Sequence, residues 1–296
     1  MTTQREGILP PIALTIAGLD PSGGAGVIAD IRTFAAFGCF ATAAITSLTF
    51  QNTTGVFGTV HQTAATVRAQ VTPIIEDFSV DCAKTGMLPT REVIAEVARL
   101  FRTFLPAPVV DPVMRATSGD DLIDDNAVSC LVSELFPLAQ VVTPNIPEAE
   151  RLTGLKIFDE AGMRLAASRI REMGARAVLV KGGHLASRQT AVGRRQGTEI
   201  NDLNDESAVY GEAIDVLDAE GTITVFRSEL IASGEVHGSG CTLSAAIAAG
   251  LGKGMTLENS VRAAKIFVTE AIRHSPKIGR GARPLYFDKG HLVHES

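Results

Sequence analysis

The sequence predicts an α/β protein in which an open, mostly parallel sheet is covered by helices on both faces. Three observations lead to this prediction. Short apolar runs alternate with segments of helical periodicity along most of the 296 residues. The apolar runs are largely continuous, which is typical of strands buried on both faces. Several runs end directly in Gly, Asp, Asn or Lys, so polar groups are expected at the carboxyl edge of the sheet.

The elements of the first half follow from local pattern. Residues 11–17 form an apolar run that ends in a glycine-rich turn, and residues 25–37 then place Ile28, Ile31 and Phe34 on one helical face. The predicted elements are, in order, a strand over 11–17, a helix over 25–37, a strand over 39–50, a helix over 63–75, a strand over 80–85, a helix over 91–101 and a strand over 108–110.

The same alternation continues in the second half. Pro147 stands in the first turn of a helical pattern, where its missing N–H costs nothing. The predicted elements are a helix over 127–135, a strand over 140–143, helices over 146–153 and 160–173, a strand over 177–180, a strand pair over 213–217 and 222–227, and helices over 241–251 and 257–274.

The whole chain, residues 1–296, is predicted to form a single domain, because it contains no internal repeat and no linker. Its core is expected over about residues 12–274. The polar, charge-rich segment 186–211 interrupts the pattern and is interpreted as a surface insertion. The tail beyond Ser275 is polar and is expected to be peripheral.

Composition excludes several classes of protein. With 45% hydrophobic and 20% charged residues the chain is globular. Its formal net charge of −6 argues against nucleic acid or an anionic membrane as partner. No segment approaches the ~20 apolar residues of a membrane span, and the first residues do not resemble a secretory signal. Four widely spaced cysteines without a Cys-x-x-Cys pair favour a reducing compartment, so we expect a cytoplasmic protein.

One glycine motif near the amino terminus is weak. Gly24-Ala-Gly26-Val-Ile-Ala29 fits a dinucleotide-binding fingerprint, but the acidic residue expected about 20 positions later is missing. An NAD-linked oxidoreductase is therefore disfavoured. A Walker A loop is also absent, because Gly252-Lys253 is followed by glycine.

The segment Gly238-Ser-Gly-Cys241 is more informative. Its two glycines permit a tight turn, and the Ala-rich run that follows is a good helix former. Free N–H groups at such a helix start bind anions, and phosphoryl transfer requires fixed donors of this kind. The alternative interpretation is a glycine turn before a packed helix.

Four polar side chains stand at or just after predicted strand ends. Asp111, Asn145 and Glu148 carry the oxygen ligands that Mg²⁺ prefers, and Lys181 offers a positive charge to phosphate. Each has an ordinary interpretation by itself, as a turn former, a first-turn helix acid or a strand-end lysine. Together they indicate a phosphate and metal site.

These residues carry a resemblance to the hydroxymethylpyrimidine kinase/phosphomethylpyrimidine kinase branch of the ribokinase-like superfamily. The matches run in order over roughly residues 12–274. The matching segments are Ala13-Leu-Thr-Ile-Ala-Gly18, Asp20-Pro-Ser-Gly-Gly-Ala-Gly26, Ala29-Asp-Ile-Arg-Thr-Phe34, Gln51-Asn-Thr53, Thr85-Gly-Met-Leu88, Val110-Asp-Pro-Val-Met114, Ser118-Gly-Asp120, Thr143-Pro-Asn-Ile-Pro-Glu148, Lys181-Gly-Gly-His184 and Gly238-Ser-Gly-Cys-Thr-Leu-Ser244.

The resemblance implies a ribokinase-like fold, often a dimer, that uses ATP and Mg²⁺ to phosphorylate 4-amino-5-hydroxymethyl-2-methylpyrimidine and its monophosphate in thiamin biosynthesis. It implies a pyrimidine pocket lined by Asp30, Gln51 and Met87, with Gly18 and Val113 beside it. It implies an anion hole built from Gly238, Ser239, Gly240 and Cys241. Nucleotide phosphates are assigned to Asn145, Lys181 and Thr242, and metal to Asp111 and Glu148.

Cys241 stands where most sugar kinases of this superfamily have an aspartate base, and the pyrimidine branch carries cysteine there. A helix amino terminus is expected to lower the pKa of this thiol. The hypothesis is that Cys241 accepts the hydroxymethyl proton or orients the alcohol.

Three departures and two alternatives remain. Some relatives place Lys at the position of Thr117, the insertion between Ala186 and Gly211 is longer than usual for the family, and the segment Arg280-Gly-Ala-Arg-Pro284 only loosely matches its closing stretch. A pyridoxal or pyridoxine kinase is the chief alternative, because that ring also carries a hydroxymethyl group. A non-catalytic ligand sensor on the same scaffold is the second.

Overall fold

The computed structural model describes residues 9–115, 122–183, 211–231 and 236–287. The matching segment at 118–120 therefore lies outside the described residues. The predicted insertion over 186–211 also lies outside them, except for its last residue. The strands are β1 (Ile12–Leu19), β2 (Phe40–Asn52), β3 (Gly55–His61), β4 (Cys82–Thr85), β5 (Val109–Val110), β6 (Val141–Val142), β7 (Ala177–Lys181), β8 (Glu212–Ala219), β9 (Thr222–Glu229), β10 (Val236–His237) and β11 (Arg283–Pro284).

Nine of these strands form one sheet, in the order β3-β2-β1-β4-β5-β6-β7-β8-β9. The six strands from β2 through β7 in this order are parallel, whereas β3, β8 and β9 are antiparallel to their neighbours. The strand order reverses between β1 and β4, and ligands of open α/β sheets bind beyond the carboxyl ends of strands at such a point. The predicted fold class is confirmed.

Helices cover both faces of the sheet. Most begin at a residue whose side chain caps the first turn, such as Thr63, Thr90 and Asp159. The helices are α1 (Gly26–Ala36), α2 (Ala64–Asp77), α3 (Arg91–Thr103), α4 (Asp125–Cys130), α5 (Ile146–Thr153), α6 (Glu160–Glu172), α7 (Ser239–Gly252) and α8 (Leu257–Arg273). After α4 the chain continues through a π-helical turn, Leu131–Leu135, and a 3₁₀ turn, Phe136–Leu138.

Two apolar cores hold the three layers together. Helices α2 to α6 pack on one face of the sheet, with Ile94, Leu100 and Met163 fully buried there. Helices α1, α7 and α8 pack on the other face around Phe34 and the alanines of α7. Cys39, Cys82 and Cys130 are buried in these cores. Among the described residues, no helix is both long and apolar enough to cross a membrane.

Several elements differ from the predictions. The predicted helix over 127–135 is α-helical only as far as Cys130, and the two-residue strand β10 was not predicted. Strand β3 was missed because Gly55 and Gly58 interrupt its apolar pattern, yet it pairs along β2 after a turn that the Asn52 side chain closes. The tail is not peripheral as far as residue 287. Leu285 is buried, and the Phe287 ring lies 4.8 Å from the Phe267 ring, so apolar contacts hold this segment against α8.

Candidate active site

A cavity of ≈1420 Å³ opens at the carboxyl edge of the sheet, where the strand order reverses. Twelve of the fourteen predicted site residues line it, and Asp30 and Thr242 do not. The residues brought together there are Gly18, Gln51, Met87, Asp111, Val113, Asn145, Glu148, Lys181, Gly238, Ser239, Gly240 and Cys241, of which the last four form one continuous turn.

Helix α7 begins at this cavity with free backbone donors. Gly238 is its N-cap and has a left-handed backbone, with φ of +86°. The amide of Thr242 makes the first intrahelical bond, to the carbonyl of Gly238. The amides of Ser239, Gly240 and Cys241 precede that bond and have no acceptor within the helix. Such a helix start favours an anion through its N–H groups and its dipole.

A charged pair lies directly beside this helix start. Lys181 Nζ is 2.8 Å from Asp111 Oδ1, and both side chains are nearly buried. A Cβ built on Gly240 would lie 3.0 Å from Lys181 Nζ, so the ammonium is in contact with the glycine turn. Burial opposes the charge on Asp111, but Lys181 and Lys84 hold the pKa of its carboxyl below the ordinary value. The pair therefore remains ionised next to the predicted anion hole.

Helix α5 supplies the second acid. Its N-cap Asn145 accepts a hydrogen bond from the Glu148 amide, and the Glu148 carboxylate accepts one from the Asn145 amide, both at 2.8 Å. This capping box fixes both side chains in the cavity wall. Burial raises the pKa of Glu148 to about 7, although Lys181 opposes the rise. A buried carboxyl of this kind is stabilised in its charged form when a cation binds.

The other end of the cavity has the shape of a ring pocket. A Cβ on Gly18 would lie 3.2 Å from Met87 Sδ, so the thioether packs against the glycine backbone. Gln51 stands opposite, with its side-chain atoms 3.2 Å from Thr49 Oγ1 and 3.0 Å from His237 Nε2. A flat apolar floor beside one oriented amide suits a heteroaromatic ring.

The placement of Asp30 differs from the expectation. Its side chain does not line the cavity but is completely buried behind it. Thr15 Oγ1 donates to Asp30 at 2.6 Å, and Lys84 Nζ lies 2.9 Å from the same oxygen. The reason is electrostatic, because a buried carboxylate needs a partner and Lys84 is the adjacent cation. Asp30 therefore acts on the cavity through Lys84.

Thr242 also differs from the expectation. Its side chain is fully buried in α7 and faces away from the cavity lining. Within the described part of the chain, its Oγ1 has no hydrogen-bond partner. The first turn of α7 rotates the side chain of residue 242 towards the core, so only its position in the helix relates it to the anion hole.

The thiol of Cys241 is less acidic than expected. Burial raises its pKa to about 11, although Lys84 and the backbone of Gly26 oppose the rise. The expected lowering by the helix amino terminus is therefore wrong for this protein, since desolvation outweighs it. Cys241 is a neutral thiol at physiological pH in this structure.

A second polar network, which was not predicted from the sequence, lies at the mouth of the anion hole. His237 Nε2 lies 2.9 Å from Asp20 Oδ2, and it is also the atom that contacts Gln51. Asp20 additionally accepts bonds from the amides of Ser22 and Ala25. The signal was available, since Asp20 and His237 stand at the edges of two of the matching motifs.

A further buried ion pair lines the cavity next to the turn that follows Lys181. Lys265 Nζ is 2.7 Å from Asp215 Oδ2, and Asp215 Oδ1 accepts a bond from the amide of Gly182. This network ties α8 and β8 to the turn that follows Lys181. No sequence motif pointed to it, because its two members are 50 residues apart along the chain.

In this site a helix amino terminus faces the cavity, and acids and lysines alternate at the neighbouring strand ends. Phosphoryl transfer requires such an arrangement. The class of protein is a phosphotransferase for a small-molecule acceptor. Among the described residues, no three His, Cys, Asp or Glu side chains cluster as a metal site.

Comparison with known proteins gives the family. The chain matches the phosphomethylpyrimidine kinase family over residues 20–286 and belongs to it. It is 44% identical over 278 residues to a hydroxymethylpyrimidine/phosphomethylpyrimidine kinase of Rhizobium meliloti, covering 93% of this chain and 96% of that protein. It is 42% identical over 273 residues to a thiamine biosynthesis bifunctional protein of Geobacter sulfurreducens, of whose length the match spans 51%.

Solved structures show the same fold. A phosphomethylpyrimidine kinase from Clostridium difficile 630 superposes with a TM-score of 0.71 at 36% identity, covering 88% of this chain and 99% of that one. A pyridoxal kinase from Staphylococcus aureus in complex with AMP-PCP superposes with a TM-score of 0.80 at 27% identity, covering 97% and 96% of the two chains. The predicted family and the predicted kinase activity are confirmed.

Proposed function

We propose that this protein transfers the γ-phosphoryl group of ATP to 4-amino-5-hydroxymethyl-2-methylpyrimidine, and then a second one to the monophosphate, as a kinase of thiamin biosynthesis. The observation that carries the proposal is the single cavity wall that joins the Gly18–Met87–Gln51 pocket to the start of α7. It supports one site that takes both a ring and a migrating phosphoryl group.

Recognition of the ring rests on Gln51. A primary amide both donates and accepts hydrogen bonds, which matches a ring nitrogen beside an exocyclic amino group. Thr49 and His237 hold this amide from two sides. Pyridoxal has a hydroxymethyl group but no amino group next to a ring nitrogen, so a fixed amide disfavours it. A pyridoxal kinase is the second candidate, because pyridoxal kinases share the fold at TM-scores of 0.78 and above.

The phosphate groups of ATP are assigned to the amides of residues 239–241, to Lys181 and to Asn145. These groups converge beside the Asp111–Lys181 pair. Residues 239–241 supply donors that are already oriented before the reaction, which is the main source of stabilisation for the transferred group.

Mg²⁺ is assigned to Glu148 and Asp111. Both acids line the cavity, and burial raises the pKa of Glu148 to about 7, which supports a cation beside this carboxyl. Two carboxylates are enough to hold the ion, because Mg²⁺ in kinases takes its remaining ligands from substrate phosphates and water. When bound, the ion neutralises charge on the phosphates.

Cys241 is assigned to orienting the acceptor alcohol. A thiol with a pKa of about 11 is a poor base at neutral pH. A loose transition state needs little proton removal before the phosphoryl group arrives, so an oriented hydroxyl can react without a strong base.

A homodimer is also proposed, with the β2–β3 hairpin at its interface. Leu48, Phe50, Phe57 and Val60 on this hairpin are all exposed, Phe57 to 69%. Strand β3 is an edge strand, and an exposed apolar edge is covered in most native proteins. A cytoplasmic location remains a prediction and is supported by the four free cysteines.

The proposal is tested by coupled ADP release with three acceptors: the hydroxymethylpyrimidine, its monophosphate and pyridoxal. We expect kcat/KM to be at least about 10-fold higher for the pyrimidines than for pyridoxal. A preference for pyridoxal would favour the second candidate. Tight binding of these ligands without ADP release would favour a sensor instead.

A further inference from the structure

Lys84 occupies a special place in the sheet. It lies on β4, which pairs with β1 where the strand order reverses. A Cβ built on Gly86 would lie 2.9 Å from Lys84 Nζ, so the ammonium lies against the backbone of Gly86, which lines the cavity. The Lys84 side chain is fully buried, and Lys84 is nevertheless one of the residues that line the cavity.

One N–H group of the Lys84 ammonium has no acceptor among the described residues. Its hydrogen bonds go to the two oxygens of Asp30, at 3.0 and 2.9 Å. An ammonium has three N–H groups, and the described residues provide acceptors for two of them through one carboxylate. Burial opposes the charge, but Asp30, Cys241 and Asp111 outweigh it and raise the pKa of Lys84. Lys84 is therefore a buried cation with one N–H group for which the described residues provide no acceptor.

Stability alone does not account for this pair. A buried ion pair costs so much desolvation that well-packed apolar side chains usually stabilise a fold as well or better. The ammonium lies against Gly86, next to Met87 of the ring pocket, and interacts electrostatically with Cys241 of the anion hole, and all these residues line one cavity. A cation there compensates negative charge on the acceptor itself.

Only one of the two acceptors in the proposed function carries such charge. The hydroxymethyl group is neutral, whereas a phosphate monoester brings up to two negative charges next to the phosphates of ATP. Lys181 is committed to Asp111 at the anion hole, on the ATP side of Gly240. The repulsion between the two anionic substrates has to be offset on the acceptor side.

We propose that Lys84 binds the phosphate of a phosphorylated acceptor and is the residue that admits a phosphate monoester as second substrate of this site. The inference rests on the proposed function. In the second transfer, an acceptor phosphate oxygen forms a bond to the γ-phosphorus, the bond from that phosphorus to the bridging oxygen of ADP breaks, and ADP leaves. A dianionic acceptor has no proton to lose, so Lys84 stays protonated throughout.

The test compares acceptors in Lys84→Met. We expect kcat/KM for the monophosphate to fall about 10- to 100-fold more than kcat/KM for the hydroxymethylpyrimidine, as removal of a charged hydrogen bond predicts. Because the single change leaves Asp30 unpaired, the neutral pair Asp30→Asn with Lys84→Met is measured beside it. Lys253→Met, on the surface turn after α7, is the matched control and should leave the ratio unchanged.

Equal losses with both acceptors would overturn the proposal, because a purely structural role does not distinguish them. A wild-type protein that phosphorylates only the alcohol would overturn it as well. Calorimetric titration of the monophosphate without nucleotide gives an independent reading, and Kd should rise about 10-fold or more in the variants. Should the wild type phosphorylate neither pyrimidine, the proposed function fails, and this titration still decides whether Lys84 binds a phosphate monoester.

Discussion

Gly238 and Gly24 come so close that a Cβ built on Gly238 would meet the carbonyl oxygen of Gly24 at 1.8 Å. The start of α7 is thus pressed onto the glycine turn that follows β1, and the two turns form one wall of the cavity. The left-handed backbone of Gly238 adds a second restriction, since other residues adopt it only with strain. This contact holds the amides of residues 239–241 where the phosphoryl group is expected.

Gly238→Ala should therefore damage catalysis more than stability of the helix itself. We expect kcat to fall about 100-fold or more, because displaced donors no longer match the transferred group. Gly254→Ala is the matched control: its φ of +81° is similar, but nothing lies within 4 Å of an added Cβ. It should cost about 1–2 kcal/mol of stability and leave kcat intact. Similar kcat values in the two variants would argue against an anion hole at residue 238.

Glu148 should make the metal-free protein less stable as pH rises. Its pKa is about 7 in the folded protein against an ordinary value of 4.5, so between these values the folded state holds a proton that the unfolded state has lost. The free energy of unfolding therefore decreases from about pH 4.5 to pH 7. Glu148→Gln keeps the capping geometry and should flatten this slope. Thermal melts in EDTA check it, and an unchanged slope would contradict the raised pKa.

Cys241 should act as a thiol rather than as a base. If a thiolate with a pKa of about 11 were required, kcat would rise tenfold per pH unit between pH 7.5 and 9.5. Because the neutral thiol is the form assigned here, we expect no such rise. Cys241→Ser should keep kcat within about 10-fold, because a hydroxyl also orients an alcohol, and Cys241→Ala should lose more. A steep rise of kcat with pH that disappears in the serine variant would show that the thiolate is required.

Gln51 should control acceptor binding without affecting ATP. Gln51→Met removes the amide that faces the ring and should raise KM for the hydroxymethylpyrimidine about 10- to 100-fold, with KM for ATP nearly constant. Gln62→Met, just beyond the same hairpin, serves as the matched control. Steady-state kinetics with each substrate varied in turn separates the two effects, and a parallel rise in both KM values would remove Gln51 from the ring pocket.

Dimer formation should depend on the β2–β3 hairpin. Phe50 is 55% exposed on its outer face, whereas Phe158 is 57% exposed on the loop between α5 and α6. Light scattering after gel filtration should give the molar mass of a dimer for the wild type and for Phe158→Lys. For Phe50→Lys it should give the molar mass of a monomer, because a charge buried in the interface opposes association. A monomeric wild type would contradict the proposed dimer.

Much of the architecture was readable from the sequence because the sheet is parallel and buried. Its strands are apolar runs with clear ends, so α5, for example, was predicted with its observed bounds, Ile146–Thr153. Strand β3 escaped prediction because antiparallel edge strands lack such a run, and Gly55 and Gly58 obscured its pattern. The packing of Leu285 and Phe287 was missed because contact with α8 depends on tertiary structure alone.

The site was predictable where a residue type at a strand end sufficed, as for Asp111 and Lys181. It was not predictable where partners meet only in three dimensions. Asp30 was expected in the pocket, but its pairing with Lys84 across 54 residues draws it behind the wall. The pKa of Cys241 depends on the balance between burial and a helix end, and the sequence shows only the helix end.

The most direct measurement is a crystal structure of the complex with ADP, aluminium fluoride, Mg²⁺ and the hydroxymethylpyrimidine. The aluminium fluoride is an analogue of the phosphoryl group in the transition state. We predict that it lies about 2.7–3.1 Å from the amide nitrogens of residues 239–241, with the pyrimidine against Met87 and Gln51. Aluminium fluoride bound away from this turn, or a pyrimidine outside that pocket, would contradict the proposed anion hole and ring pocket.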